Sequence, residues 1–408
     1  MQKTSLYIVY YGWLMGVISI AYFIGLMLHL PLVVIVGIVI ALAFLIYKQT
    51  NTIITSNSDN NPTVSYALLF MAICLIGQKA VVLSDKYGTW DAWAMWNMHA
   101  KYLAEPNYWT ALFKNKDFAH TDYPLLLPSN IAFYNRIVGI EYLQTVSYCF
   151  HLLITILIPV LIFTETKHRN IIFSAIGLYW LSTNMNHLTI ASFQLADTLV
   201  AFFTLIAVIA IDHIEQDKRY TTIATSMLGL CMFTKNEGVL ISLLFIAFYF
   251  KPLFNKVNIK QSLIGITIPV LALAIFKLVY APHNDIVSAQ GTDTISKLTD
   301  WSRYNIVLTA FKKHINEYYY AIACLFALHF LLHLIGRKMP DKKLLFVLTV
   351  LCSYVVVYVI TPQDLEWHLN TSLNRLVHQM IPTTIYALIV AHSNTFSFRF
   401  RSAFAQNQ

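Results

Sequence analysis

Apolar segments of about twenty residues recur from the start of this 408-residue chain almost to its end. Coiled as a helix rising 1.5 Å per residue, such a segment covers the roughly 30 Å hydrocarbon core of a bilayer. The runs fall near 6–29, 31–48, 64–83, 142–163, 170–183, 195–213, 221–234, 238–250, 262–281, 315–335, 342–361 and 376–392. The fifth, seventh and eighth are short, so the expected number of spans is about 10–12. Composition agrees, with 57% of residues hydrophobic and 12% charged, against about 25% charged in soluble domains. The expected class is an all-α polytopic membrane protein with the lipid bilayer as its first partner.

Charge placement gives the orientation. The net charge of +8 would raise nucleic acid as a partner of a soluble protein, but here Lys and Arg gather in alternate short loops. Lys48, Lys167 and Arg169, Lys218 and Arg219, Lys251 and Lys256, Arg337 to Lys343, and Arg399 with Arg401 fall on one side. By the positive-inside rule that side is cytoplasmic, both termini included, and nucleic acid is not expected. The apolar run after MQKTS is longer than the roughly 7–15 residues of a signal-peptide core and reads as a retained first span. The 5 cysteines contain no CxxC pair, which indicates neither a disulfide framework nor a zinc site.

Within this framework Lys86 to Pro128 is the anomaly, a polar stretch carrying Trp90, Trp93, Trp96 and Trp109 together with Asp91, His99, Glu105, Asp117, His120 and Asp122. The domain organisation expected is an N-terminal hairpin and linker over 1–63, a transmembrane module over 64–392, and a cytoplasmic tail over 393–408. The module includes outer loops at 84–145 and 282–313. Thr89 is placed to cap a helix starting near Trp90, with Asp91 in its first turn, where the helix dipole favours a carboxylate. Trp90 and Trp93 then share an aromatic face suited to the membrane interface, and Pro106 ends the helix.

Other outer turns add Asp197 at the head of the sixth span, Lys235, Asn236 and Glu237 in TKNEG, and Glu366, His368 and Arg375 before the last span. Ionisable groups at span ends are costly unless they pair or face a cavity. Asp91 reads either as a helix-start acid or as a general base. His120 and Asp122 alternate in HTDYP and share a side if the segment is extended, where with Asp91 they would suit Mg or Mn; a rigid polar turn is the plainer reading. Lys235 and Arg375 suit a phosphate, with snorkelling or a Lys235–Glu237 pair as the alternative. Asp364, Glu366 and His368 alternate on a solvent-wetted rim if extended. Lys79 and Lys277 read as snorkelling, and His329 and His333 as hydrogen-bonded bundle residues.

WDAWAMWNMHAKYL with HTDYPLLLP, QLADTLVAF, TKNEG and DLEWHLNTSLNR, in that order and on one side, resemble the GT-C superfamily of membrane glycosyltransferases, in particular bacterial relatives of protein O-mannosyltransferases and aminoarabinose transferases. The resemblance implies a GT-C-like bundle with interfacial helices in its first large loop. It implies an inverting enzyme that moves a sugar from a polyprenyl-phosphate donor to a glycan, lipid or protein acceptor outside the membrane. Asp91 then matches the acid that activates the acceptor, Asp122 is a candidate second acid, and Tyr123 belongs to the loop's return to the membrane. Two departures stand out. The acidic loop follows the third expected span rather than the first, and Asp91 is followed by Ala92 instead of a second acid, which leaves a metal requirement open. The lack of large soluble domains favours a bacterial inner membrane. A transporter or flippase of a lipid-linked or anionic substrate is the alternative, for which polar residues at mid-bilayer depth and paired halves are expected.

Overall fold

A computed structural model describes residues 1–53, 62–83, 87–114, 118–283, 288, 290–291, 293–337 and 339–405, with backbone alone over 394–405. Residues 54–61 of the expected hairpin and linker, and 84–86 and 115–117 of the expected outer loop, lie outside the described residues. The described chain is helical and contains no strand.

Among the described residues six helices are long and apolar enough to cross a membrane, or eight if each of two bent pairs is one span. The multi-pass all-α class therefore holds, while the span count is lower than the sequence suggests. The cause is length: the helices over Asp197–Ile211 (α10), Arg219–Thr234 (α11) and Asn236–Phe248 (α12) have 15, 16 and 13 residues. Each is shorter than the roughly 20 residues of an independent span.

Contacts divide the chain into two compact units, Met1–Glu165 with Leu178–Pro282, and Thr166–Gly177 with His283–Gln408. In the first, α1 (Lys3–Met27) and α2 (Leu32–Ile53) form the expected hairpin, closed where Gly25 meets Ile35. Their environments differ. α2 is mostly open, whereas α1 buries Leu6, Val9, Met15, Tyr22 and Phe23. It packs on α6 (Leu126–Val138) and α11, with Trp13 Nε1 donating to Ser226 Oγ at 2.6 Å and Asn130 Nδ2 to the Met15 carbonyl at 3.0 Å.

α11 is buried on every side, and its composition explains how. Thr225 and Thr234 turn their hydroxyls back to the carbonyls of Thr221 and Leu230, satisfying polar groups within the helix. Its small residues admit a close neighbour. A Cβ on Gly265 of α14 (Ile259–Ile275) would lie 2.6 Å from the Thr222 carbonyl and 2.9 Å from the Ser226 nitrogen, so only glycine allows this approach.

The remaining helices of this unit are α3 (Pro62–Leu83), α4 (Asn97–Leu103), α5 (Ala111–Lys114), α7 (Leu143–Thr166), α9 (Met185–Ser192) and α13 (Phe250–Phe254); α8 (Ile171–Thr183) crosses the division. α9 and α10 meet at 114° across a four-residue break.

The second unit contains α15 (Asp293–Thr299), α16 (Trp301–Tyr318), α17 (Tyr320–Ile335), α18 (Lys342–Val359) and α19 (Leu365–Ala405). The outer loop expected over 282–313 is thus largely helical where described, and α16 bends by 112° into α17. α18 and α19 are tied by Tyr354, whose hydroxyl donates to Gln379 at 2.6 Å, and by Tyr358, bonded to Ser372 at 2.7 Å.

Candidate functional site

The polar loop returns as a compact arrangement on the first unit. A helical turn starts at Trp90, the backbone widens into a π-turn over Ala92–Trp96, and α4 follows as far as Leu103. The extra residue in that turn alters the register, so Met95, Trp96, His99, Ala100 and Leu103 are buried while Trp90 and Trp93 face outward. The expected helix is present, with Ala100 on its buried face. Asp91 sits in the first turn, half-buried. Gly88, at φ +69°, lets the chain enter beside the α9–α10 break, where a Cβ would meet the Phe193 carbonyl at 2.9 Å. Asn97 donates to Gln194, itself left-handed at φ +59°, at 3.4 Å across the same seam.

The HTDYP segment is a turn rather than an extended strand, with His120 at φ +52° and exposed, and Asp122 buried. The two side chains therefore do not share a side. The pattern had alternated for a reason unrelated to extension: Tyr123 N bonds to the His120 carbonyl at 3.0 Å and closes a tight turn between them. Asp122 Oδ2 accepts from Asn236 Nδ2 at 2.8 Å, and Lys277 Nζ lies 3.9 Å from the same oxygen. Lys277 also donates to Asn236 Oδ1 at 2.8 Å and to the Asp122 carbonyl. Its expected role as a snorkelling lysine is corrected, since the ammonium turns inward to this triad. Sequence offered only a charge near the end of an apolar helix, which snorkelling explains equally well.

Beside the triad stands a second charged group. Lys235 Nζ is 2.9 Å from Asp197 Oδ1 and 3.1 Å from Glu237 Oε1, and its ammonium lies 5.8 Å from the Tyr123 ring. Asp197 is fully buried and Lys235 is 4% exposed, so two carboxylates neutralise a desolvated ammonium. Lys235 is extended between α11 and α12, and Glu237 falls in the first turn of α12, where the helix dipole favours its charge. TKNEG thus places Lys235 toward α10 and Asn236 toward the loop. Tyr123 joins the two groups to the π-turn, its ring 5.7 Å from Trp96.

His99 is buried beneath this arrangement, its ring nitrogen Nε2 donating to the Ala119 carbonyl at 3.1 Å. Burial pushes its pKa down to about 4, the Ala119 bond opposing the shift, so the ring is neutral at ordinary pH. Sequence reasoning named His99 without assigning it a role. Trp109 and Phe113 pack against Phe276 and Tyr280 beside Lys277, the Trp109–Tyr280 centroids lying 4.7 Å apart. This aromatic contact docks α5 and the loop onto the end of α14.

Arg375, Glu366 and His368 belong to the second unit. Glu366 and His368 lie in the first turns of α19, where two-residue spacing does not give a common face, so the extended alternation is corrected, while Asp364 and Glu366 are exposed as on a solvent-wetted rim. Asp364 starts that helix by accepting from Trp367 N at 2.8 Å, and His368 Nδ1 bonds to Thr361 Oγ1 at 2.8 Å. Arg375 is half-buried further along α19.

The residues considered for Mg or Mn do not converge: His120 is exposed, and Asp122 is engaged by Asn236 and Lys277. No group of three His, Cys, Asp or Glu placed to hold a metal ion occurs among the described residues. No family model, curated protein or solved structure matches this chain. Fold and composition define it as a multi-pass helical membrane protein, and its charged residues assemble two linked groups at one end of the first unit.

Proposed function

We propose that the protein is an inverting glycosyltransferase acting at the extracytoplasmic edge of a bacterial inner membrane, with a polyprenyl-phosphate sugar as donor and an envelope glycan, lipid or protein as acceptor. The observation that carries this reading is the Asp122–Asn236–Lys277 triad, an acid, an amide and a half-buried ammonium held together beside the aromatic turn over Ala92–Trp96. The resemblance of the four motifs supports it. Lys277 replaces Lys235 as the group offered to the donor phosphate, because Lys235 already serves two carboxylates. The remainder of its charge is available to an anion arriving from the membrane surface.

In the proposed step an acceptor hydroxyl attacks the anomeric carbon and the bond from that carbon to the phosphate oxygen breaks. The hydroxyl proton passes to the Asp91 carboxylate, while the carrier phosphate keeps the electron pair and its new charge faces Lys277. Asp122 and Asn236 hold that ammonium in position. Trp90 and Trp93, exposed near Asp91, suit the membrane interface or a sugar face. Transfer of labelled sugar from a polyprenyl phosphate by purified protein tests the reading. Asp91→Asn should abolish transfer without loss of folded protein, and unchanged turnover would remove the base assignment.

One observation favours a transporter as the second reading. α9 and α10 break at 114° just before Asp197, and broken helices with charged groups at the break occur in transporters. Movement of a lipid-linked substrate across proteoliposomes without sugar transfer would select it.

A further inference from the structure

In the second unit, α16 has a face that the transfer reaction does not use. Asp300 starts the helix, its carboxylate accepting from Ser302 N at 2.9 Å. At 3.6 residues per turn its side chains then fall into three rows. Val307, Phe311 and His314 are buried, and Phe311 meets Tyr358 of α18 edge-on at 6.1 Å. Beside them Trp301, Tyr304 and Leu308 form an apolar row, with Trp301 81% and Leu308 55% exposed and the Trp301 and Tyr304 rings 5.5 Å apart. Lys312, exposed, continues this row one turn on. Ser302, Thr309, Lys313 and Asn316 are exposed and make up the third, polar row.

Two contacts fix the depth and direction of α16. α18 is long and apolar enough to cross a membrane, and Lys342 and Lys343 at its start are cytoplasmic by the positive-inside rule, so its end at Val359 lies at the outer edge. Arg303 donates from Nε to the Val359 carbonyl at 2.7 Å and from Nη2 to the Thr361 carbonyl at 3.3 Å. It thereby satisfies a carbonyl that the helix end leaves open and holds α16 at that edge. At its other end α16 turns through 112° into α17, so the two helices cannot both follow the membrane normal. α17 contains no Asp, Glu, Lys or Arg, whereas α16 contains Arg303, Lys312, Lys313 and Glu317. α17 is therefore the helix suited to hydrocarbon, and α16 the one suited to the surface.

We propose that α16 is an outer-leaflet anchor whose Trp301–Tyr304–Leu308 row docks on phospholipid, at the boundary between headgroups and acyl chains. Trp and Tyr settle at that level because each has an apolar body and a polar tip. Lys312 lays its stem along the same row and carries its ammonium to the headgroup phosphates. Chain continuity makes the occupant lipid: α16 runs directly into α17, whose exposed Leu325, Leu328 and Leu332 meet hydrocarbon in a membrane helix. The polar row of Ser302, Thr309 and Lys313 then faces water. This inference stands apart from the transfer reaction.

The test is tryptophan quenching of the full chain in nanodiscs of phosphatidylcholine and phosphatidylglycerol, with bromine placed on the acyl chains either close to the headgroup or near the bilayer centre. Wild type minus Trp301→Phe isolates the emission of Trp301. That emission should be largely lost with the shallow bromines, lost less with the deep ones, and retained in iodide. Leu308→Trp in the Trp301→Phe background should repeat this pattern. Lys313→Trp in the same background lies about 140° further round the helix and should be quenched by iodide and spared by bromine. Trp301 emission quenched by iodide alone places the row in water, and emission untouched by either quencher places it against protein, such as a second copy; each overturns the anchor. Quenching of Lys313→Trp by bromine overturns it too, because the helix would then be immersed rather than seated at the surface. Should Trp301→Phe fail to fold, Leu308→Trp read against wild type supplies the same comparison, and an added emission insensitive to shallow bromine overturns the proposal.

Discussion

Replacing Lys235 with methionine asks whether its charge serves the fold or a bound anion. The ammonium is 2.9 Å from Asp197, which is fully buried, and 3.1 Å from Glu237, whose side chain is 24% exposed. In Lys235→Met the Glu237 charge can turn to solvent, and an exposed pair of that kind contributes about 0–1 kcal/mol. Asp197 has no such escape. Removing one partner of a buried pair costs about 3–5 kcal/mol, roughly a 150- to 5,000-fold shift in the unfolding equilibrium. Asp197→Asn should cost less, because Lys235 keeps Glu237. The double variant should regain about 0.5–3 kcal/mol over the sum of the single changes, the range of coupling for residues in direct contact. Denaturant titration in micelles, followed by tryptophan fluorescence, supplies the four stabilities of the cycle. A Lys235→Met protein as stable as wild type, with no coupling to Asp197, would refute the structural assignment and return Lys235 to the phosphate.

His99 gives a pH dependence of defined sign. Its folded pKa of about 4 lies below the unfolded value near 6.5, so the unfolded chain binds more protons between those values. Its contribution is therefore full above the unfolded value and is lost as pH falls toward about 4, and stability profiles of wild type and His99→Gln should diverge across that window. Lys277→Met should weaken donor binding by roughly 10- to 150-fold, the equivalent of a charged hydrogen bond of about 1.5–3 kcal/mol, and should raise KM in the transfer assay. Gly265→Val should destabilise by about 1–3 kcal/mol through overpacking against α11, measured in the same titration, because a Cβ would sit 2.6 Å from the Thr222 carbonyl.

The periodicity of apolar runs determined the all-helical membrane class, because lipid leaves an exposed backbone no other partner. It overstated the spans, since hydropathy sees that α10, α11 and α12 are apolar but not that they are short, nor that α10 and α11 are buried among neighbours. In the site, sequence singled out Asp122, Asp197, Lys235, Asn236 and Glu237 because charge beside apolar segments is costly. It offered only the neighbouring Lys235–Glu237 pair, which the structure contains, and none of the long-range ones. The partners lie far apart along the chain, as Asp122 and Asn236 do, and Lys277 became one of them only when the end of α14 packed against the loop. Asp91 remains where sequence placed it, in the first turn of a helix, because the preference of an acid for that end of the helix dipole is a local effect. The facing of Trp96, His99 and Asp122 was left to tertiary structure: a π-turn and a left-handed His120 alter which side chains point inward, and a residue pattern read at regular spacing does not register either.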